Sequence, residues 1–176
     1  MDYFLLEADE RNPITQYFNR NQEIGIKNIN RQNAHKIPPI SLVEMYSRDE
    51  VLFPPVLSRP FFMVSKACVE VIGMYVKNVR YRFVKLYCED NDVTASYFLP
   101  ILEEVACLDD RSELNPDKSV IMKMILNRDL IGDRFLFRIA GFSKSYVIAR
   151  MELIDSLLRR DMLGLKLTQV PCVTAK

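Results

Sequence analysis

The stretch from Arg134 to Val170 constrains the fold more than any other, because its apolar period changes twice. It begins Arg134-Phe135-Leu136-Phe137-Arg138-Ile139-Ala140-Gly141, with Phe135, Phe137 and Ile139 alternating with Arg134, Leu136 and Arg138. That alternation predicts a strand buried mainly on one face. Gly141 to Ser145 supplies turn chemistry and Tyr146 to Arg150 resumes as strand, so the pair predicts a hairpin. From Met151 to Met162 the period lengthens. Met151, Ile154, Leu157, Leu158 and Met162 line one side of a helix, with Glu152, Asp155, Arg159 and Arg160 on the other. Asp155 precedes Arg159 by one helical turn, a pairing worth roughly 0.3 kcal/mol when exposed. Gly164 falls where a helix end calls for positive φ, and Leu165 to Val170 closes the unit as a strand. The result is strand-strand-helix-strand, with no catalytic constellation in it.

Upstream the pattern is patchier. Tyr3 to Glu7 reads as an opening strand, and Ile14 to Phe18 extends the sheet after a turn at Asn12-Pro13. Asn19 to Lys36 is a polar, Asn-rich excursion anchored by Ile24, Ile26 and Ile29, with a short strand expected at Ile24 to Ile26. Ser41 to Tyr46 fits a strand or a helical turn equally well. Pro54, Pro55 and Pro60 leave no room for a regular element between them. Ser65 caps a helix running from Lys66 to about Tyr75, with Cys68, Val71, Ile72 and Tyr75 on one face. Gly73 inside that helix costs roughly 1 kcal/mol relative to alanine, so packing is expected to compensate. Strands are expected at Tyr81 to Cys88, with Arg82 and Lys85 wet, at Val93 to Leu99, at Ile101 to Leu108 and at Val120 to Leu126. Asp90-Asn91-Asp92 forms a turn, Pro100 breaks its strand or confines it to an edge, and Asp109 to Lys118 is a loop.

These elements give an α+β class: a single domain over residues 1–176, with a mostly antiparallel sheet of short strands and at least two packed helices. Within it lie a loop-rich part (1–60), a helix with strands (61–130), the terminal unit (131–170) and a tail (171–176). The apolar share of 49% and charged share of 27% suit a globular chain that builds its own core. Formal net charge is +1, which gives no global pull toward nucleic acid or an anionic membrane. No run reaches the roughly 18 apolar residues needed to span a bilayer. Acids stand at the N-terminus where a secretory leader has basic residues. Cys68, Cys88, Cys107 and Cys172 include no pair at two-residue spacing, so reduced thiols in a cytoplasmic protein are expected.

The chemistry available to such a chain is narrow. His35 is the only histidine and lies in a polar loop, which disfavours Ser-His-Asp or Cys-His catalysis and rules out a three-histidine metal site. Asp90-Asn91-Asp92 lacks the downstream Gly and Glu of a calcium loop, and the five glycines are isolated, so no phosphate cradle can be built. Glu103-Glu104 and Asp109-Asp110 are adjacent pairs, and neighbours on a strand point to opposite faces. No cofactor, metal or catalytic residue is expected. Charge placement is more telling. Glu89, Asp90, Asp92, Glu103, Glu104, Asp109, Asp110 and Glu113 crowd the middle, whereas Lys123, Arg128, Arg134, Arg138, Lys144, Arg150, Arg159 and Arg160 follow. Such an acidic segment is either a solvated face or a surface that steers a basic protein partner.

The order of features resembles a bacterial immunity-protein family of polymorphic toxin systems, formerly a domain of unknown function. The resemblance rests on Tyr3-Phe4-Leu5-Leu6, on Met63-Val64-Ser65-Lys66 heading a helix, and on Leu108-Asp109-Asp110-Arg111-Ser112. It is tightest in Phe137-Arg138-Ile139-Ala140-Gly141, Tyr146-Val147-Ile148, the following helix, Leu163-Gly164-Leu165-Lys166-Leu167 and Val170. It implies a cytosolic antitoxin that blocks a cognate toxin domain by stoichiometric occlusion. Under it, Glu89, Asp90, Asp92, Glu103, Glu104, Asp109 and Asp110 are the expected partner surface, with Tyr87 and Tyr97 as anchors if their rings escape the sheet core. A scaffold module without a toxin partner and a small enzyme of unrecognised type are the competing readings.

Overall fold

Among the described residues two mixed sheets and the helices packed on them enclose three apolar clusters. The computed structural model describes residues 1–9, 16–18, 24–46, 53–88 and 92–174. The five-stranded sheet has the order β14 (Leu165–Val170), β1 (Tyr3–Ala8), β13 (Val147–Arg150), β12 (Leu136–Ile139) and β8 (Glu104–Val105), antiparallel except for the last pair. The six-stranded sheet runs β2 (Gln16–Phe18), β3 (Ile40–Tyr46), β6 (Arg80–Cys88), β7 (Val93–Ile101), β5 (Met63–Val64) and β4 (Val56–Leu57), with β3 and β6 parallel. Two short ribbons complete the strands: β9 (Glu113–Leu114) with β10 (Ile121–Lys123), and β11 (Leu126–Asn127) with β15 (Cys172–Val173). The class is α+β, as the sequence indicates.

The helices are α1 (Lys66–Tyr75), the single turn α2 (Arg128–Ile131) and α3 (Met151–Leu158). Helix α1 has the bounds its apolar spacing predicts, and Ser65 Oγ accepts the Cys68 amide at 3.4 Å as its cap. Cys68, Val71 and Ile72 are its buried face. Gly73 is exposed, and a methyl group there would meet nothing within 4 Å, so no close packing demands it. In α3 the buried residues are Leu153, Ile154 and Leu157, while Met151 and Leu158 are exposed. The apolar stripe is therefore rotated from the predicted one, because α3 packs on both α1 and the five-stranded sheet.

The terminal hairpin forms as expected, but β14 does not lie beside β13. Strand β1 separates them, pairing Tyr3 with Arg150 on one side and with Val170 on the other. β13, α3 and β14 thus make a parallel crossover that skips one strand. A helix is about 10 Å across and strands are spaced about 4.8 Å, so skipping one position fits the helix to the sheet. β12 is covered on both faces, Leu136 by one cluster and Phe137 and Ile139 by another, so all of Leu136 to Ile139 is buried, in contrast to the one-sided burial expected. Leu136, Val147, Ala149 and Leu6 face α1 and α3, whereas Tyr3, Phe137, Ile139 and Ile148 face a second core closed by Val105, Cys107, Leu126 and Ile131.

The excursion before β3 contains no strand at Ile24 to Ile26. It forms two 3-10 turns, Ile26–Asn28 and Ala34–Lys36, and buries Ile24, Ile29, Ala34 and Ile37 against the six-stranded sheet. The proline-rich loop does hold a two-residue strand, β4. β7 runs through Pro100 and pairs with β5 only at Phe98, so the proline's missing N–H lies where that side of β7 has no described partner strand. Residues expected at 101–108 and 120–126 form shorter strands than predicted. The turns expected at Asn12-Pro13 and at Asp90-Asn91, and the start of the strand at Ile14, lie outside the described residues. Among the described residues no helix is long and apolar enough to cross a membrane.

Candidate interaction site

Three arginines hold the excursion in place. Arg138, only 7% exposed, donates from Nη1 to the Ile29 carbonyl at 2.8 Å and from Nη2 to the Phe142 carbonyl. Arg82 bonds the Ala34 carbonyl through Nη2 at 2.8 Å, and Arg80 reaches the carbonyl of Arg31 at 3.1 Å. Burial pulls the Arg138 guanidinium below its ordinary value, with Glu104 at 3.7 Å opposing that shift. Arg138 and Arg82 read as wet positions in the sequence. An arginine at an alternating position gives no sign that a distant loop will fold over it, so these anchors were not foreseeable.

The carboxylates nominated from the sequence are not brought together. Glu89 and Asp90 lie outside the described residues. Asp92, at φ +49, sits at the closed end of the β6–β7 hairpin, while Arg80 opposite Ile101 marks the other end. Eight residue steps of about 3.4 Å separate Val93, next to Asp92, from that end by roughly 27 Å, and Glu103 stands beside the far end. Glu103 is gripped by Arg134 at 2.7 Å and approached by Arg31 at 3.5 Å. Glu104 points the other way, toward Arg138. Asp109 is bonded by Arg111 at 2.6 Å, and Asp110 is exposed in the same turn. The acidic run in the sequence is therefore not one acidic surface, because basic residues from β12 and the excursion fold onto its middle. Of the candidate anchors, Tyr97 is buried, with its hydroxyl donating to the Pro54 carbonyl at 2.6 Å, and Tyr87 is half-buried.

What does stand free is the arm formed by β9 and β10. Met122 is 70% exposed, and Leu114 and Val120, on or next to the same ribbon, are exposed too. Three large apolar side chains left in water on one short ribbon make it a candidate contact surface. The arm is nevertheless well fixed. At its root Ser112 Oγ donates to the Ile125 carbonyl at 2.8 Å and accepts the Ile125 amide at 3.0 Å. The Tyr146 hydroxyl accepts the Ile121 amide at 3.1 Å. At its tip Asn115 Oδ1 accepts the Val120 amide at 2.9 Å, and Asp117 accepts both the amide and the hydroxyl of Ser119. That hydroxyl bond holds the Asp117 carboxyl below its usual range. The signal available in the sequence was Asn115-Pro116-Asp117 followed by Ser119, a turn flanked by apolar residues.

A pocket of about 160 Å³ opens beside the C-terminal end of α1. Its walls are Tyr75, Val76, Val79, Phe135 and Leu136, and its lip carries Arg31, Glu103 and Arg134. The Tyr75 hydroxyl is hydrogen bonded to Ser156 of α3. Phe135 lies between the Tyr75 ring at 5.2 Å and the Arg150 guanidinium at 4.2 Å. Arg134 also donates to the Ile131 carbonyl at 2.7 Å, and its hydrogen bond to Glu103 holds that carboxyl below its usual range.

Among the described residues no three His, Cys, Asp or Glu side chains gather as metal ligands. His35 is exposed, with Nδ1 2.9 Å from the Gln32 carbonyl. Burial raises the Cys68 thiol and pushes that of Cys107 up to about 12, the opposite direction from an activated thiolate. Searched against protein-family models and curated proteins, the chain matches none.

Proposed function

We propose that this chain is an immunity protein, acting in the cytoplasm by binding a cognate toxin domain and occluding it stoichiometrically. The observation that supports this most is the β9–β10 arm, which displays Leu114, Val120 and Met122 on a framework tied at root and tip. A pre-organised apolar projection suits insertion into a partner's cleft, because little ordering entropy is lost on binding. Asp109 and Asp110, expected at the interface, lie at the root of this arm, whereas Glu103 and Glu104 do not. The chain itself makes and breaks no bond in this reading.

Co-expression is the test. If a large protein with a variable C-terminal toxin domain is encoded beside this chain's gene, that domain is the one to co-express, and growth should be restored by the intact chain. The double substitution Val120→Asp and Met122→Asp should leave the circular dichroism spectrum unchanged yet weaken binding by about tenfold or more, as expected for anchor residues. Unprotected growth with the intact chain rejects the immunity reading. Full protection by the double variant rejects the arm as the occluding element.

A further inference from the structure

The outer edge of the five-stranded sheet is open. Strand β14 ends that sheet and pairs only with β1 among the described residues. One bond fixes the direction of its backbone groups. Asp9 N–H donates to the Gly164 carbonyl at 2.9 Å, one step beyond the pair Ala8–Leu165. Opposed residues in an antiparallel ladder alternate between pairs that exchange both bonds and pairs that exchange none. Glu7–Lys166, Leu5–Thr168 and Tyr3–Val170 are therefore bonded pairs, and Leu165, Leu167 and Gln169 turn their N–H and C=O groups away from β1. The other side of β1 agrees, because the Met151 amide donates to the Asp2 carbonyl and so sets Phe4 to bond toward β13. Among the described residues nothing pairs with the outward groups of Leu165, Leu167 and Gln169. Pro171, next in the outward series, bounds the open run: it has no N–H, and its carbonyl accepts the Leu126 amide at 2.8 Å.

An edge that stays in water is usually short, bulged or charged along its length. β14 has six residues in unbroken register, and its one charge, Lys166, reaches back to Glu7 of β1 at 3.7 Å. Leu163, just before the strand, is 74% exposed. We infer that a second copy of this chain covers this edge, with the two β14 strands antiparallel across a two-fold axis at Leu167. The outward residues are spaced evenly about Leu167. In that register Leu167 faces Leu167 and Leu165 faces Gln169, so every outward donor and acceptor on both copies is paired. Lys166 faces Thr168, which keeps like charges from standing directly opposite each other. An axis at Lys166 would oppose two ammonium groups. An axis at Thr168 would set Leu165 against Pro171, which has no donor, and one at Leu165 or Gln169 would leave part of the edge beyond the partner strand. A two-fold contact of this kind closes after two copies and joins their sheets into one. β9 and β10 form a separate ribbon, so this pairing stands or falls apart from the occlusion reading.

Sedimentation equilibrium of the full chain, at concentrations up to about 1 mM, should show a monomer–dimer equilibrium. Hydrogen exchange at the Leu165, Leu167 and Gln169 amides should be slow at high concentration and quicken on dilution. Thr168→Lys places a like charge opposite Lys166 of the copy, twice over by symmetry, and should weaken the dimer about fivefold at low salt. Thr168→Glu should tighten it by a similar factor. Thr168 is exposed, so both variants should keep the circular dichroism spectrum. Gln169→Pro removes an outward amide without touching the bonds to β1 and should leave a monomer. A chain that stays monomeric throughout, with those amides exchanging freely, means that the edge is left to water or to another protein's strand, and overturns the proposal. A dimer in which the three amides stay unprotected overturns β14 as the interface. Equal effects of the two Thr168 variants overturn the register.

Discussion

Arg138 makes the largest single demand on its surroundings. It is buried, holds two carbonyls far apart in the chain, and bridges β12 to the excursion at Ile29. Arg138→Ala removes both bonds and leaves those carbonyls without donors, an expected loss of about 3–5 kcal/mol in urea unfolding. Arg138→Lys should recover little, since a single ammonium does not span both acceptors. Glu103 gives a pH-dependent counterpart. Its folded pKa lies below the unfolded value because Arg134 bonds the charged form. A depressed pKa contributes stability above the unfolded value of about 4.3, and that stability is lost as pH falls through the folded one. Glu103→Gln should therefore lower the midpoint of thermal unfolding at pH 7, and the gap to the unmodified chain should close under strongly acid conditions. A gap that persists there would show that the carboxylate's charge is not what stabilises the lip.

Among the elements, α1 offers the cleanest test of local propensity. Gly73 is helical and exposed, with open space where a Cβ would sit. Gly73→Ala should stabilise the protein by about 1 kcal/mol, read from the denaturant midpoint at unchanged slope. No gain would mean that the glycine serves something other than the helix. The arm behaves differently, because its ties lie at its root, at its tip and at the Tyr146 hydroxyl. Ser112→Ala removes both root bonds to Ile125. Hydrogen exchange should quicken from Glu113 to Lys123, while amides of β6 and β12 keep their protection. Exchange that quickens everywhere would show that the arm is part of the cooperative core.

At the scale of the whole molecule, β1 is the strand on which the terminal unit depends. It fills the gap between β13 and β14, and it places Leu6 in one core and Tyr3 in another. A chain lacking residues 1–9 should be unfolded by circular dichroism at 25 °C, since losing a central strand exceeds the ~5–15 kcal/mol of a typical domain. A folded, cooperative truncation would refute that dependence.

Much of this architecture follows from local pattern. The bounds of α1, its Ser65 cap, the β12–β13 hairpin, the strand at Leu165–Val170 and the α+β class all rest on periodicity and turn chemistry, which act between residues near in sequence. The sequence by itself determined those elements and the narrow chemistry left by one histidine and scattered cysteines. Only the tertiary structure decided that β1 divides the terminal unit, that Arg138 is buried, that arginines neutralise Glu103 and Glu104, and that the arm stands exposed. The reason is physical: burial and ion pairing depend on which distant segments pack together, and a side chain's type does not record its eventual neighbour.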